Sequence, residues 1–187
     1  PTRLSSVLSV WLFGGLGGYS YNDAPYRSPI AMNLSADQTA IQTAARKFVQ
    51  TEIAPYVAGW EQAGTYVPES VLSRMGDQGY FGLFVPKQMG GSEIDMVSYA
   101  VITEEFAAGD CGLCNLMNAS NSPVSTAIRD YGNVTQHQLY LKPMASGQLR
   151  ACFLLTEAQA GSHASAISRR ATRIADGYLL PSSNHFS

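Results

Sequence analysis

Hydrophobic and polar positions keep a helical rhythm from residue 35 to about residue 147 and then lose it. Ser35 stands three residues ahead of Gln38, the spacing of a capping box, and Ile41, Ala45, Phe48 and Val49 then recur on one face, predicting a helix to about Glu52. Pro55 interrupts that helix. Pro68 stands where a first helical residue belongs, Val71, Leu72 and Met75 supply a second apolar stripe, and Gly79 ends it. Residues 82–91 contain Pro86 and the Gly90-Gly91 pair, which exclude a regular helix and predict a buried extended stretch running into a turn. A third helix is predicted over about 95–108, apolar at Val97, Tyr99, Val101, Ile102 and Phe106 and stopped by Gly109. A fourth spans 111–130, bent near Pro123 and closed by Gly132. Thr135 with Gln138 repeats the capping box for a fifth, which should end near Gly147.

Beyond Gly147 the period changes. Residues 150–156 read as a buried strand and residues 164–174 as a second, with Asp176-Gly177 as hairpin chemistry and Tyr178, Leu179 and Leu180 returning. The fold class is therefore mainly α, a helical bundle domain followed by the first strands of a β-domain. Three short strands leave two open edges, so the β-domain is expected to be truncated. The expected divisions are a leader or non-native extension over 1–33, a helical domain over 34–149 and the start of the β-domain over 150–187. Within the first stretch, the apolar run 7–16 is broken by Gly14 and Gly15 and is too short to span a bilayer, and Met32 is a candidate natural start.

Composition narrows the chemistry. A chain of 187 residues, 45% of them hydrophobic, can bury a real core. With a formal charge of −2 and 12 basic residues scattered singly, it has no stripe to neutralise a phosphate backbone, so a small ligand is expected and nucleic acid is not. Cys111, Cys114 and Cys152 are too few for a disulfide framework and fit a reducing compartment. Cys111 and Cys114 form a C-x-x-C pattern, but no strand precedes it and no second pair stands at zinc spacing. Two small apolar residues on a buried helix are the expectation, with no metal. His137 is expected to face solvent.

Three motifs, in order, resemble the acyl-CoA dehydrogenase family: a Val-Pro-x-x-x-Gly-Gly turn within residues 83–91, a Glu-Glu helix carrying Glu104 and Glu105, and the loop Thr156-Glu157-x-x-Ala160-Gly161-Ser162 after a strand. The similarity covers roughly residues 34–178. It implies three parts, a helical domain, a middle β-domain and a C-terminal bundle, with FAD held between them. It also implies α,β-dehydrogenation of an acyl-CoA thioester to the 2-enoyl-CoA, in fatty acid metabolism. Electron-transferring flavoprotein is the implied electron acceptor, and a homo-oligomer the implied assembly when the protein is full length. The implied location is cytoplasmic, or the mitochondrial matrix in a eukaryote, without membrane association.

By the same resemblance Phe153, Leu155, Thr156 and Phe186 match flavin-contacting positions, the Thr156 hydroxyl donating to the ring, and Ser162 matches an acyl-CoA contact. Leu116, Met117 and the bend over 118–123 fall where the family lines its acyl pocket. The catalytic glutamate of the family lies beyond the end of this chain, so no catalytic residue is assigned. Glu157 is expected to be structural, and Glu104 and Glu105, which point about 100° apart on a helix, exposed or capping. The sequence departs from the family where Ala158 replaces a proline, His163 replaces an aspartate and residues 181–187 lack the usual pattern after the hairpin. Two other readings stay open: a non-catalytic helical acyl-CoA- or flavin-binding module, and a same-fold flavin monooxygenase or oxidase.

Overall fold

The computed structural model describes residues 33–180, so the leader, Met32 and residues 181–187 with Phe186 lie outside the described residues. Ser35 opens α1 (Ala36–Glu52) with the predicted capping box, its hydroxyl accepting from the Gln38 amide while Gln38 returns to the Ser35 amide. The chain then makes a turn through Pro55 and a short α2 (Val57–Ala63), which the sequence reading did not separate. Pro68 is the residue before α3 (Glu69–Asp77) rather than inside it, its extended backbone setting up the first turn.

Residues 82–94 fold back on themselves. Leu83 and Val85 are buried, Lys87–Met89 make a single tight helical turn, and backbone bonds from Ser92 to Gly82, Glu93 to Val85 and Ile94 to Leu83 close the loop. Asp95 caps α4 (Met96–Gly109) by accepting from the amides of Val97 and Ser98. α1 packs along α4, and Gly109 is the point of closest approach: a Cβ there would lie 2.2 Å from Val49 Cγ1.

The fourth predicted helix is present with its bend. α5 (Cys111–Ala119) runs into a wide turn at Ser120–Ser125 around Pro123, then α6 (Thr126–Tyr131). Asn121 is fully buried at that bend. Its amide donates to the carbonyls of Tyr80 (2.7 Å) and Met117 (3.0 Å), and its oxygen accepts from the Leu83 amide (2.7 Å). The bent helix and the 80–83 turn are thereby fastened by one side chain.

The last helical stretch runs through α7 (Val134–Gln136), a wide turn at His137–Leu141, and α8 (Lys142–Ala145). Its cap is Asn133 with Gln136, two residues before the expected Thr135 and Gln138, because an amide oxygen serves the N3 amide as well as a hydroxyl does. His137 is half-buried, not solvent-facing, and its Nε2 meets the Ile128 carbonyl at 3.0 Å.

The β region departs most from expectation. Residues 150–155 form no strand, and Phe153, Leu154 and Leu155 are exposed, because nothing among the described residues lies beside them to complete a ladder. Of residues 164–174 only β1 (Thr172–Ile174) is strand, the preceding part making a helical turn at Ala164–Ala166. β1 pairs antiparallel with β2 (Gly177–Leu179), Thr172 opposite Leu179 and Ile174 opposite Gly177, so the loop is Ala175-Asp176 and Gly177 already belongs to β2.

The described residues from Ser35 onward form one compact unit. Its core gathers Val49 of α1 and Ile53 just after it, Leu72 and Met75 of α3, Ile102 and Phe106 of α4, and Leu113 and Met117 of α5 around Tyr80 and Phe81. Tyr80 meets Phe106 edge-on at 4.7 Å, and burial pushes its phenol up to about 12. The described residues contain no helix long and apolar enough to cross a membrane. Asn121→Ala is expected to lower stability by about 3 kcal/mol, since it leaves the Leu83 amide and the Tyr80 carbonyl buried without partners; urea denaturation followed by circular dichroism measures it.

Candidate functional site

α5 supplies one wall of a cleft of about 610 Å³ through Gly112, Asn115, Leu116, Asn118, Ala119 and Ser122, residues that share a helix face and its bend. The other wall is Ala151, Cys152, Phe153, Leu155 and Thr156. Three of the flavin candidates, Phe153, Leu155 and Thr156, therefore meet in one cleft with Leu116, whereas Met117 is buried in the core on the opposite face of α5. Ser162 is exposed and does not line the cleft.

The lining mixes apolar side chains with neutral polar ones and carries no charged residue among those described. Asn118 is oriented from behind: its oxygen accepts from the Tyr99 hydroxyl at 2.7 Å, and its amide lies 3.6 Å from Cys114 Sγ. Burial pushes both the Tyr99 phenol and the Cys114 thiol up, so each stays a neutral donor, the thiol toward the Thr103 carbonyl at 3.5 Å. Cys111, by contrast, is exposed, so only half of the C-x-x-C pair is the buried apolar residue expected. Among the described residues no group of three or more His, Cys, Asp or Glu could hold a metal ion.

Glu157 follows the cleft wall and is buried. Its carboxylate accepts from the amides of Ser168 and Arg169 (3.1 Å each), from the Ser168 hydroxyl (3.1 Å) and from the Gln159 side chain, with the Arg169 guanidinium at 3.8 Å. Burial pushes its pKa up, but the donors together outweigh burial and hold it below its ordinary value. The loop is thus tied by a carboxylate with no room to accept a proton from a ligand.

Glu104 is exposed, as expected. Glu105 is not: it is buried at the α1–α4 contact and gripped by Arg46 through two bonds of 2.6 and 3.0 Å.

The sequence profile described as "Acyl-CoA dehydrogenase, N-terminal domain" matches residues 35–148. The chain belongs to the acyl-CoA dehydrogenase family. It is 32% identical over 149 residues to the caffeyl-CoA reductase-Etf complex subunit CarC of Acetobacterium woodii, a match covering 80% of this chain and 39% of that protein. It is 34% identical over 142 residues to the 3-(aryl)acrylate reductase of Clostridium sporogenes, covering 75% of this chain and 37% of that one. Among solved structures, a glutaryl-CoA dehydrogenase from Mycobacterium smegmatis in complex with FADH2 superimposes with a TM-score of 0.72 at 30% identity, covering 79% of this chain and 38% of the other. The chain spans about two-fifths of the length of the family members it matches.

The pH behaviour of the Glu157 tie follows from the direction of its shift. A carboxylate held below its ordinary value of 4.5 contributes stability that is fully present above that value and is lost as pH falls through its lower folded value. Nuclear magnetic resonance should show the Ser168 and Arg169 amides unmoved from neutral pH to below 4.5 and titrating only in more acid solution. In Glu157→Gln that titration should be absent.

Proposed function

We propose that this chain carries part of the flavin and acyl-CoA site of an FAD-dependent acyl-CoA dehydrogenase, which desaturates an acyl-CoA thioester between its α and β carbons. The observation that supports this most directly is the cleft itself, where Phe153, Leu155 and Thr156 face α5 across a space of about 610 Å³. That volume suits one ring system with an acyl arm. Small residues at Gly112, Ala119 and Ala151 leave room for a flat ligand.

The residues present fit a flavin. The backbone of residues 151–155 makes no hydrogen bond to another described residue, so its amides remain available to the polar edge of a ring. Phe153, Leu155 and the Thr156 hydroxyl would hold that ring, with Ser162 toward the acyl-CoA and Phe186 a further aromatic contact. When bound, FAD would supply two-electron chemistry at the substrate and single-electron exit to an electron-transferring flavoprotein. The part of this chain is to bind, orient and dry the site, α5 and Asn118 shaping the acyl arm. Among the described residues no carboxylate lines the cleft, and Glu157 is committed to its donors, so in this reading the α-proton is taken by a group outside the described residues.

The names of two relatives, a caffeyl-CoA reductase subunit and an arylacrylate reductase, favour a second reading in which the same bond chemistry runs toward reduction of an enoyl group. The first name also includes an Etf complex, which supports electron-transferring flavoprotein as the partner. A homo-oligomer and a domain division near residues 33 and 150 belong to the same proposal.

Protein made from the complete reading frame should be yellow and should bleach without oxygen when a matching acyl-CoA is added. Thr156→Ala should weaken FAD binding by about three- to tenfold, the worth of one hydrogen bond. A colourless protein that does not take up FAD would leave the binding-module reading, and rapid oxygen consumption by the reduced protein would select the oxidase or monooxygenase.

A further inference from the structure

The wall formed by residues 151–156 has no ladder to hold it among residues 151–155, yet it stands opposite α5 along the whole cleft. Its downstream end is fixed by the buried Glu157 knot. Its upstream end is fixed by α3. Gly147, at φ +74°, lies so close to α3 that a Cβ on it would come 2.9 Å from Gly76 Cα, and one on Gly76 would come 2.5 Å from the Ser146 carbonyl oxygen. Three residues on, Arg150 donates through both terminal nitrogens to both carboxylate oxygens of Glu69, each bond 2.7 Å, across 81 positions of sequence. Glu69 is the first residue of α3.

We propose that Glu69 and Arg150 are a positioning pair, which holds the cleft wall at a set distance from α5. The side chains are 69% and 33% exposed, so as a stabilising contact the pair is worth little. Its bidentate fork, however, fixes direction as well as distance. Placed immediately before Ala151, it sets where the wall begins, as Glu157 sets where it ends. The consequence for ligand is that the fork controls the width of the slot offered to a flat ring. That consequence rests on the flavin reading above, while the clamp itself does not.

Two natural cysteines report on it directly. Cys111 at the start of α5 and Cys152 on the wall are exposed, whereas Cys114 is buried. Spin labels on Cys111 and Cys152 of the unaltered chain, without flavin, should give a narrow distance distribution. Glu69→Gln and Arg150→Gln should each broaden it to about twice that width, as should high salt, which screens an exposed pair. The exchanged pair Glu69→Arg with Arg150→Glu should restore the narrow distribution, which a loss of fold would not allow. Unchanged helical circular dichroism confirms that each variant is folded. A width unaffected by either single substitution, or not restored by the exchange, would overturn the proposal. If the widths behave as expected but FAD affinity is the same in all variants, the clamp stands and the flavin reading of this cleft fails.

Discussion

The structure depends on a single buried amide at the bend between α5 and α6. A helix that turns at Pro123 leaves carbonyls without their usual partners, and the 80–83 turn beneath it has a free carbonyl and a free amide of its own. Asn121 answers both, donating twice and accepting once. Because the bend is thereby fixed to the core at Tyr80 and Leu83, the exposed face of α5 points in a defined direction. The cleft is a result of that direction: Asn115, Asn118, Ala119 and Ser122 share it, while Leu113, Cys114 and Met117 face the core.

Where the sequence was legible, local chemistry and burial agreed. The Ser35 and Gln38 box, the Asp95 start of α4 and the bend at Pro123 each satisfy backbone groups within a few residues, so spacing alone carries the information. The cap at Asn133 was missed because Thr135 with Gln138 offers the same spacing, and only the path of the chain chooses between them. Glu105 was missed because its partner Arg46 is 59 positions away and no local pattern announces it. The same holds for Glu69 and Arg150.

The strand expected over 150–156 shows the opposite limit. Its residues have the apolar character of a strand, but a strand is a relation between two segments, and the described residues provide no second one. Three flavin candidates nevertheless meet in the cleft, since the family loop places them by sequence order from Thr156, and order does not depend on whether a ladder forms. Ser162, five residues past Glu157, is exposed beyond the tie and is not among the residues that line the cleft.

The distribution of charge carries the argument furthest. A motif search would nominate Glu104, Glu105 and Glu157 as acid–base groups, yet one faces solvent, one is gripped by Arg46 and one is encircled by four donors and Arg169. What is left to line the cleft is amide, hydroxyl, thiol and hydrocarbon. Such a surface gives no Coulombic reward to a free carboxylate and offers many neutral contacts to a thioester arm or a ring edge. In the proposed reading, a neutral wall would leave the acidity of a bound α-carbon to hydrogen bonds at the carbonyl, which act more strongly where water and competing charge are excluded. Glu105 and Glu157 are therefore structural fasteners, each held by its own donors, and the described lining of the cleft carries no charge.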